Sequence, residues 1–123
     1  NEKEIRHELR DKNEKIESLM KRLSWEQKIK NLVVTRGIEG SMLYNKKNNK
    51  FNFSDAFAKK AVDKIGAGDA MLSLIALSLK SGFIGELALL VGSMAGAHSV
   101  EVMGNKESIE KIKILKSIEH ILK

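Results

Sequence analysis

The stretch Asp63-Lys64-Ile65-Gly66-Ala67-Gly68-Asp69-Ala70 stands directly before an apolar run that ends at Leu79. Its two glycines interrupt regular structure and the next ten residues are strong helix formers, so it predicts a turn that opens a helix. The first turn of a helix has unpaired backbone N–H groups and a partial positive charge. Because glycine lets an anion approach those groups closely, the turn suits a phosphate. Asp69 in the same turn is placed to act as a general base on a nearby hydroxyl.

A purely structural interpretation of the same turn is also open. In it the glycines only form a loop and Asp69 only stabilises the helix dipole. A short glycine motif cannot decide between the two interpretations by itself. The other motifs of the chain have to decide.

Composition limits the class of protein. A chain of 123 residues with 42% hydrophobic residues suits one domain with a real core, and the absence of cysteine excludes disulfides and thiolate chemistry. The apolar stretches 70–79 and 87–97 are too short, or too rich in Gly, Ser and His, to span a membrane, so we expect a cytoplasmic protein with no membrane partner. The net charge is +6, but lysines alternate with glutamates and only six residues are aromatic. This pattern favours solvated helix faces, and we expect no nucleic-acid partner.

The first half of the chain predicts a helix, a strand and a hairpin. Residues 1–24 have one apolar face and predict a single amphipathic helix, for which Asn1 and Glu4 form a capping box. Trp25 is expected to pack where this helix meets the next element. Residues 31–36 predict a buried strand, and residues 41–54 a β-hairpin with a polar tip.

A second glycine motif follows the predicted strand. It contains Thr35, Gly37 and Gly40. Glycines at the carboxyl end of a strand lie where ligands bind in α/β folds, although a plain turn into the next strand explains them equally well.

The second half predicts three helices. The helix after Asp69 is apolar nearly all round, so we expect it to be buried in the middle of the fold and to end at Gly82. A second helix, 86–100, is rich in small residues, which allow close approach of another helix or of a flat ligand. His98 near its end is expected to be a structural histidine rather than a ligand or base. Residues 106–123 predict a last amphipathic helix.

Taken together, the order of these motifs resembles the C-terminal part of the ribokinase-like (PfkB) carbohydrate kinases. The family signature Asp-Thr-x-Gly-Ala-Gly-Asp stands here as residues 63–69, with Lys64 in place of the Thr. Residues 1–4, Asn-Glu-Lys-Glu, match the family's Asn-x-x-Glu motif. The resemblance covers the whole chain and implies an α/β fold: a partial sheet with a hairpin, packed by helices.

The resemblance also implies roles for single residues. Asp69 is expected to be the catalytic base. The expected anion hole consists of Gly66, Ala67 and Gly68. The expected nucleotide-binding residues are Thr35, Gly37, Gly40 and Ser93, the last standing where many relatives have an Asn near the adenosine.

Metal ions are implied in the same way. Asn1 and Glu4 are expected to organise Mg²⁺ through water. A monovalent cation such as K⁺ is expected at Asp63, Gly104 and Ser108.

The expected function is ATP-dependent phosphoryl transfer to a hydroxyl of a sugar or sugar phosphate, and residues 100–106 most resemble heptose-phosphate kinases. Phosphoryl transfer needs mainly positioning and charge stabilisation, which a helix N-terminus, a metal and a carboxylate supply. Complete kinases of this type are much longer. We therefore expect residues 1–123 to be one partial domain, which lacks the N-terminal sugar-binding part, is inactive alone and associates through an exposed sheet edge or as a homo-oligomer. The alternatives are a non-catalytic nucleotide-binding or regulatory module and a basic helical interaction protein.

Overall fold

A computed structural model describes residues 1–56, 66–101 and 111–121. Three strands form an antiparallel sheet in the order β1-β2-β3, with helices before and after it. The expected α/β class is therefore confirmed. The elements are α1 (Glu2–Glu8), α2 (Ile16–Glu26), β1 (Asn31–Thr35), β2 (Ser41–Asn45), β3 (Lys50–Ser54), α3 (Ala67–Lys80), α4 (Gly85–Glu101) and α5 (Lys111–Ile121).

The central strand β2 divides the core into two clusters. Successive side chains of a strand point to opposite faces, so Met42 and Tyr44 face one way and Leu43 the other. Met42 and Tyr44 pack with the buried residues of α1 and α2, whereas Leu43 packs with α3 and α4. The sheet thus has helices on both faces. Among the described strands, β1 and β3 have one strand neighbour each.

The prediction of one helix over residues 1–24 is wrong, because the chain turns between α1 and α2. Arg10 adopts a left-handed conformation with φ 52°. The carboxylate of Asp11 then accepts hydrogen bonds from the backbone N–H groups of Glu14 and Asn13, at 2.9 and 3.0 Å. The bond from Glu14 has the larger effect and the bond from Asn13 the smaller one, and both lower the pKa of Asp11. A local side-chain turn of this kind competes with the helical backbone and ends it.

The small residues of α4 allow it to lie close against α3. A Cβ on Gly92 would overlap the side chain of Ile75 and lie 2.9 Å from the carbonyl oxygen of Met71. A Cβ on Gly96 would lie 3.2 Å from the carbonyl oxygen of Ala67. These two glycines therefore serve helix packing, and they fix the start of α3 against α4.

One side of α3 is exposed, which corrects the prediction that this helix is buried. Leu72 and Leu77 are 57% and 60% exposed, and Ala76 lies between them on the same side. The opposite side carries Met71 and Ile75, which are buried. The apolar composition of α3 thus exceeds what the described residues can cover. Gly82 follows the helix with φ 88°, as expected of a glycine at that position.

Two further residues differ from expectation. Trp25 lies near the end of α2 but is 64% exposed, and the ammonium nitrogen of Lys46 lies 3.9 Å from its ring centre. Nε2 of His98 is buried and has no hydrogen-bond partner among the described residues, so a fully satisfied structural histidine is not observed. Within the described ranges, no helix is both long and apolar enough to cross a bilayer.

Candidate functional site

The start of α3 has backbone donors without a helical acceptor. Gly66 precedes the helix in a left-handed conformation, φ 83°, which glycine adopts without a steric cost. No side chain caps the helix within the described residues, and the first helical bond runs from Ala70 N–H to the carbonyl of Gly66. The N–H groups of the three residues between them, 67–69, have no helical acceptor. A Cβ on Gly68 would meet no atom of the described residues within 4 Å, which leaves room for a ligand among them.

Asp69 lies in this first turn and is exposed. It is on the same side of α3 as Leu72 and Ala76, because residues three and four apart share a helix face. Asp69, the proposed base, therefore lies at the N-terminal end of the exposed apolar side of α3, next to the N–H groups without a helical acceptor.

Residues 35–40, named the glycine loop below, form a closed turn between β1 and β2. The N–H of Arg36 donates to the carbonyl oxygen of Gly40 over 2.8 Å. The N–H of Gly40 donates to the carbonyl oxygen of Gly37 over 3.1 Å. Gly37 and Gly40 have φ 62° and 83°. A Cβ on Gly40 would also overlap the carbonyl oxygen of Ser54, so this position requires glycine. The loop is held tightly against the end of β3.

One turn of α4 connects the glycine loop to the start of α3. Ser93 Oγ lies 3.2 Å from Oγ of Ser41, the residue that follows the loop. Gly96, three residues further along, packs against Ala67. Three residues of helix rise about 4.5 Å. The two predicted phosphate-binding segments and Ser93 therefore come together, although Gly40 and Gly66 are 26 positions apart in the sequence.

The start of α1 is a capping box, as predicted. The side-chain oxygen of Asn1 accepts from the N–H of Glu4 over 3.1 Å, and its amide nitrogen donates to Oε1 of Glu4 over 2.7 Å. Oε2 of Glu4 binds the backbone nitrogen of Asn1. Glu4 is nevertheless exposed, and a carboxylate has about four acceptor positions.

An ion pair joins α1 to the glycine loop. Nε of Arg36 donates to Oε2 of Glu2 over 2.8 Å, and Arg6 binds the other carboxylate oxygen at 2.8 Å. Arg36, and then Arg6, lower the pKa of Glu2, and Glu2 raises the pKa of Arg36. Sequence reasoning missed Glu2, Arg36 and Ser41. Only their places beside the motifs could have indicated them, since an ion pair between positions 2 and 36 has no local sequence pattern.

Three predicted site residues lie outside the described residues. They are Asp63, Gly104 and Ser108. Among the residues that are described, no three His, Asp or Glu side chains gather into a metal-binding group. Thr35 ends β1 at the start of the glycine loop, as expected.

Known proteins are similar to this chain in sequence and in fold. Residues 1–112 match the model of the pfkB family of carbohydrate kinases. The Bifunctional protein HldE of Koribacter versatilis is 33% identical over 87 residues, which are 71% of this chain and 17% of that protein. Ribokinase from Thermotoga maritima is 28% identical with a TM-score of 0.75, over 97% of this chain and 39% of its own.

Two further solved structures are similar. Ribokinase from Arabidopsis thaliana, complexed with ribose and ATP, is 25% identical with a TM-score of 0.79, over 94% of this chain and 38% of its own. Phosphofructokinase-2 from Escherichia coli, in complex with potassium, has a TM-score of 0.81 over 100% of this chain and 40% of its own, at 18% identity. That last likeness shows the fold alone. The chain spans less than half the length of each of these relatives. Because the family model matches residues 1–112, the chain belongs to the pfkB family of carbohydrate kinases.

Proposed function

We propose that this chain is the nucleotide-binding and catalytic-base part of a sugar kinase, which transfers the γ-phosphoryl group of ATP to a hydroxyl of a sugar or sugar phosphate. The observation that carries the proposal is the single turn of α4 that contacts both the glycine loop, through Ser93 and Ser41, and the start of α3, through Gly96. In this proposal one nucleotide contacts both segments. Family membership supports the same conclusion.

In this proposal the start of α3 stabilises the transferring group. The N–H groups of Gly66, Ala67 and Gly68 form the anion hole, where charge on the phosphoryl oxygens meets the positive end of the helix. Asp69 takes the proton of the acceptor hydroxyl as that oxygen attacks phosphorus. Its exposed position leaves space for an acceptor beside it.

The glycine loop and Ser93 bind the rest of the nucleotide in the same account. The loop backbone, from Thr35 through Gly37 to Gly40, holds the nucleotide phosphates. Ser93 lies on α4 where this helix meets the end of the glycine loop. Its hydroxyl oxygen is 3.2 Å from that of Ser41.

Magnesium fits this chain only through water. Asn1 and Glu4 bind each other, and the described residues hold no three-carboxylate group. Mg²⁺ retains several waters and takes one or two carboxylates together with substrate phosphates. The remaining acceptor positions of Glu4 suit those waters, and the bound ion supplies neutralisation of phosphate charge. A monovalent cation at Asp63, Gly104 and Ser108 stays a proposal, as does the heptose-phosphate type of acceptor.

We also propose that the acceptor-binding residues lie in a further part of the polypeptide, so that the 123 residues alone are inactive. The chain spans 39% of the ribokinase from Thermotoga maritima. The exposed apolar side of α3, which begins at Asp69, is a surface that such a part would cover. A non-catalytic nucleotide-binding module is the alternative, and it shares every feature except the role of Asp69.

Asp69→Asn in a full-length kinase that contains this segment separates these two functions. Loss of the base should lower kcat by about 10²- to 10⁴-fold and leave the Kd of Mg-ATP nearly unchanged, because the carboxylate acts in the transition state. Glu86→Gln is the matched control, because it also removes an exposed carboxylate from the first turn of a helix, that of α4, and it should retain full turnover. Unchanged turnover in the Asp69 variant would contradict the catalytic assignment and leave the binding module.

A further inference from the structure

Glu2 links two segments that lie 34 residues apart. It is the second residue of the Asn1–Glu4 motif, and its partner Arg36 is the second residue of the glycine loop. No other hydrogen bond between side chains of the described residues joins α1 to that loop. This contact therefore adds a direct link between the start of α1 and the loop to the packing of Ile5 with Val34 and Met42 of the flanking strands.

Arg36 is fixed at both ends. Its backbone N–H donates to the carbonyl oxygen of Gly40 over 2.8 Å, and its carbonyl oxygen accepts from the N–H of Glu39 over 3.2 Å. Its guanidinium pairs with the carboxylates of Glu39 and Glu2. A guanidinium has five donors in a rigid fork, so one side chain can bind two acids in a defined geometry. Movement of Arg36 would carry the loop with it.

The Glu2–Arg36 pair is better shielded from water than the Glu14–Arg22 pair. The side chains of Glu2 and Arg36 are 25% and 24% exposed, whereas those of Glu14 and Arg22 are 35% and 37% exposed. Shielded charges are less screened by salt. Arg6 binds the second oxygen of Glu2 at 2.8 Å and so holds its carboxylate in place on α1.

We propose that Glu2 is a positioning residue: through Arg36 it holds the glycine loop at a fixed place relative to the start of α1. The consequence for nucleotide affinity rests on the proposed function, in which loop and α1 contact the same metal–nucleotide complex. Glu2 does not touch the nucleotide in this account. It acts by keeping the loop in its binding geometry before the ligand arrives.

Glu2→Gln tests the proposal, with Glu14→Gln as the matched control. Each change removes one carboxylate charge from an ion pair with arginine, but only the first pair reaches the loop. In the 123-residue chain, hydrogen exchange of the Arg36 and Gly40 amides should be about 3- to 10-fold faster in the Glu2 variant, with the β2 amides unchanged. The Glu14 variant should show the wild-type rate in the loop. Equal loop exchange in the Glu2 variant and the wild type would overturn the proposal.

The Kd of Mg-ATP, measured by calorimetry on the same three proteins, gives the second readout. Glu2→Gln should raise it by about 3- to 10-fold and Glu14→Gln should not change it. Arg36→Lys, which keeps the charge but loses the fork, should lie between wild type and Glu2→Gln. If the wild type binds and all variants bind equally, the positioning role is contradicted. If the wild type does not bind while loop exchange still responds to Glu2, the proposed function fails and the link between α1 and the loop stands.

Discussion

The hydroxyl oxygens of Ser41 and Ser93 lie 3.2 Å apart and join β2 to α4. Ser41 is only 4% exposed, so its hydroxyl depends on this partner rather than on water. Ser93→Ala should lower the free energy of unfolding by about 1 kcal/mol, because a buried hydroxyl loses its bond. Ser73→Ala, at an exposed position of α3, should change it by less than about 0.5 kcal/mol. Urea denaturation measures both, and equal effects would show that the serine pair contributes nothing.

The two glycines of the glycine loop should differ in their tolerance of alanine. Gly37→Ala places a side chain at positive φ in open space, which costs about 1 kcal/mol. Gly40→Ala adds an overlap with the carbonyl of Ser54 and should cost about 3 kcal/mol or more. Thermal or urea unfolding of the two variants gives the comparison. A Gly40 variant as stable as the Gly37 variant would show that the loop does not pack against the end of β3 as described.

The Glu2–Arg36 pair should make stability depend on acid pH. Arg36 lowers the pKa of Glu2 in the folded chain. The carboxylate therefore contributes stability above its ordinary pKa of about 4.3, and the contribution is lost as pH falls through the lowered value. Glu2→Gln should be about 1 kcal/mol less stable than wild type at pH 7 and equally stable at pH 2. A difference that stays constant between those pH values would contradict the ion pair.

The exposed side of α3 should drive self-association of this chain. Leu72 and Leu77 form an apolar surface next to Ala76, and surfaces of this kind mark contact sites. Sedimentation should show concentration-dependent association, which Leu72→Glu combined with Leu77→Glu abolishes. Ser73→Glu adds a charge on the same side without removing apolar area and should weaken association less. If the double variant associates as the wild type does, contact through another surface, such as the sheet edge, is the alternative.

Much of the fold could be predicted because it follows from local chemistry. Glycines mark the start of α3 and the turn after it, and alternation marks the hairpin. The break between α1 and α2 was missed since apolar residues recur at helical spacing across it, while the bonds of Asp11 to the N–H groups of Asn13 and Glu14 are local competitors. The exposure of Leu72 and Leu77 could not be predicted, because composition tells how apolar a helix is and not how much surface is available to cover it.

The candidate site was predictable in its motifs but not in its connections. Asp69, Gly68 and Gly40 belong to short patterns with a chemical reason for each residue. The contact of Ser41 with Ser93 and that of Glu2 with Arg36 depend on how distant elements pack, which no local pattern encodes.

The most direct test of the central claim is calorimetric titration of this chain with Mg-ATP beside Gly68→Leu and Ala76→Leu. Among the described residues, no atom lies within 4 Å of a Cβ at position 68, so a leucine there should obstruct the anion site without disturbing the fold. Ala76→Leu also replaces a small residue by leucine, at an exposed position two turns further along α3. We expect the wild type and Ala76→Leu to bind Mg-ATP and Gly68→Leu not to bind it, with unchanged circular dichroism in all three. Equal binding by Gly68→Leu would contradict a nucleotide-phosphate site at the start of α3.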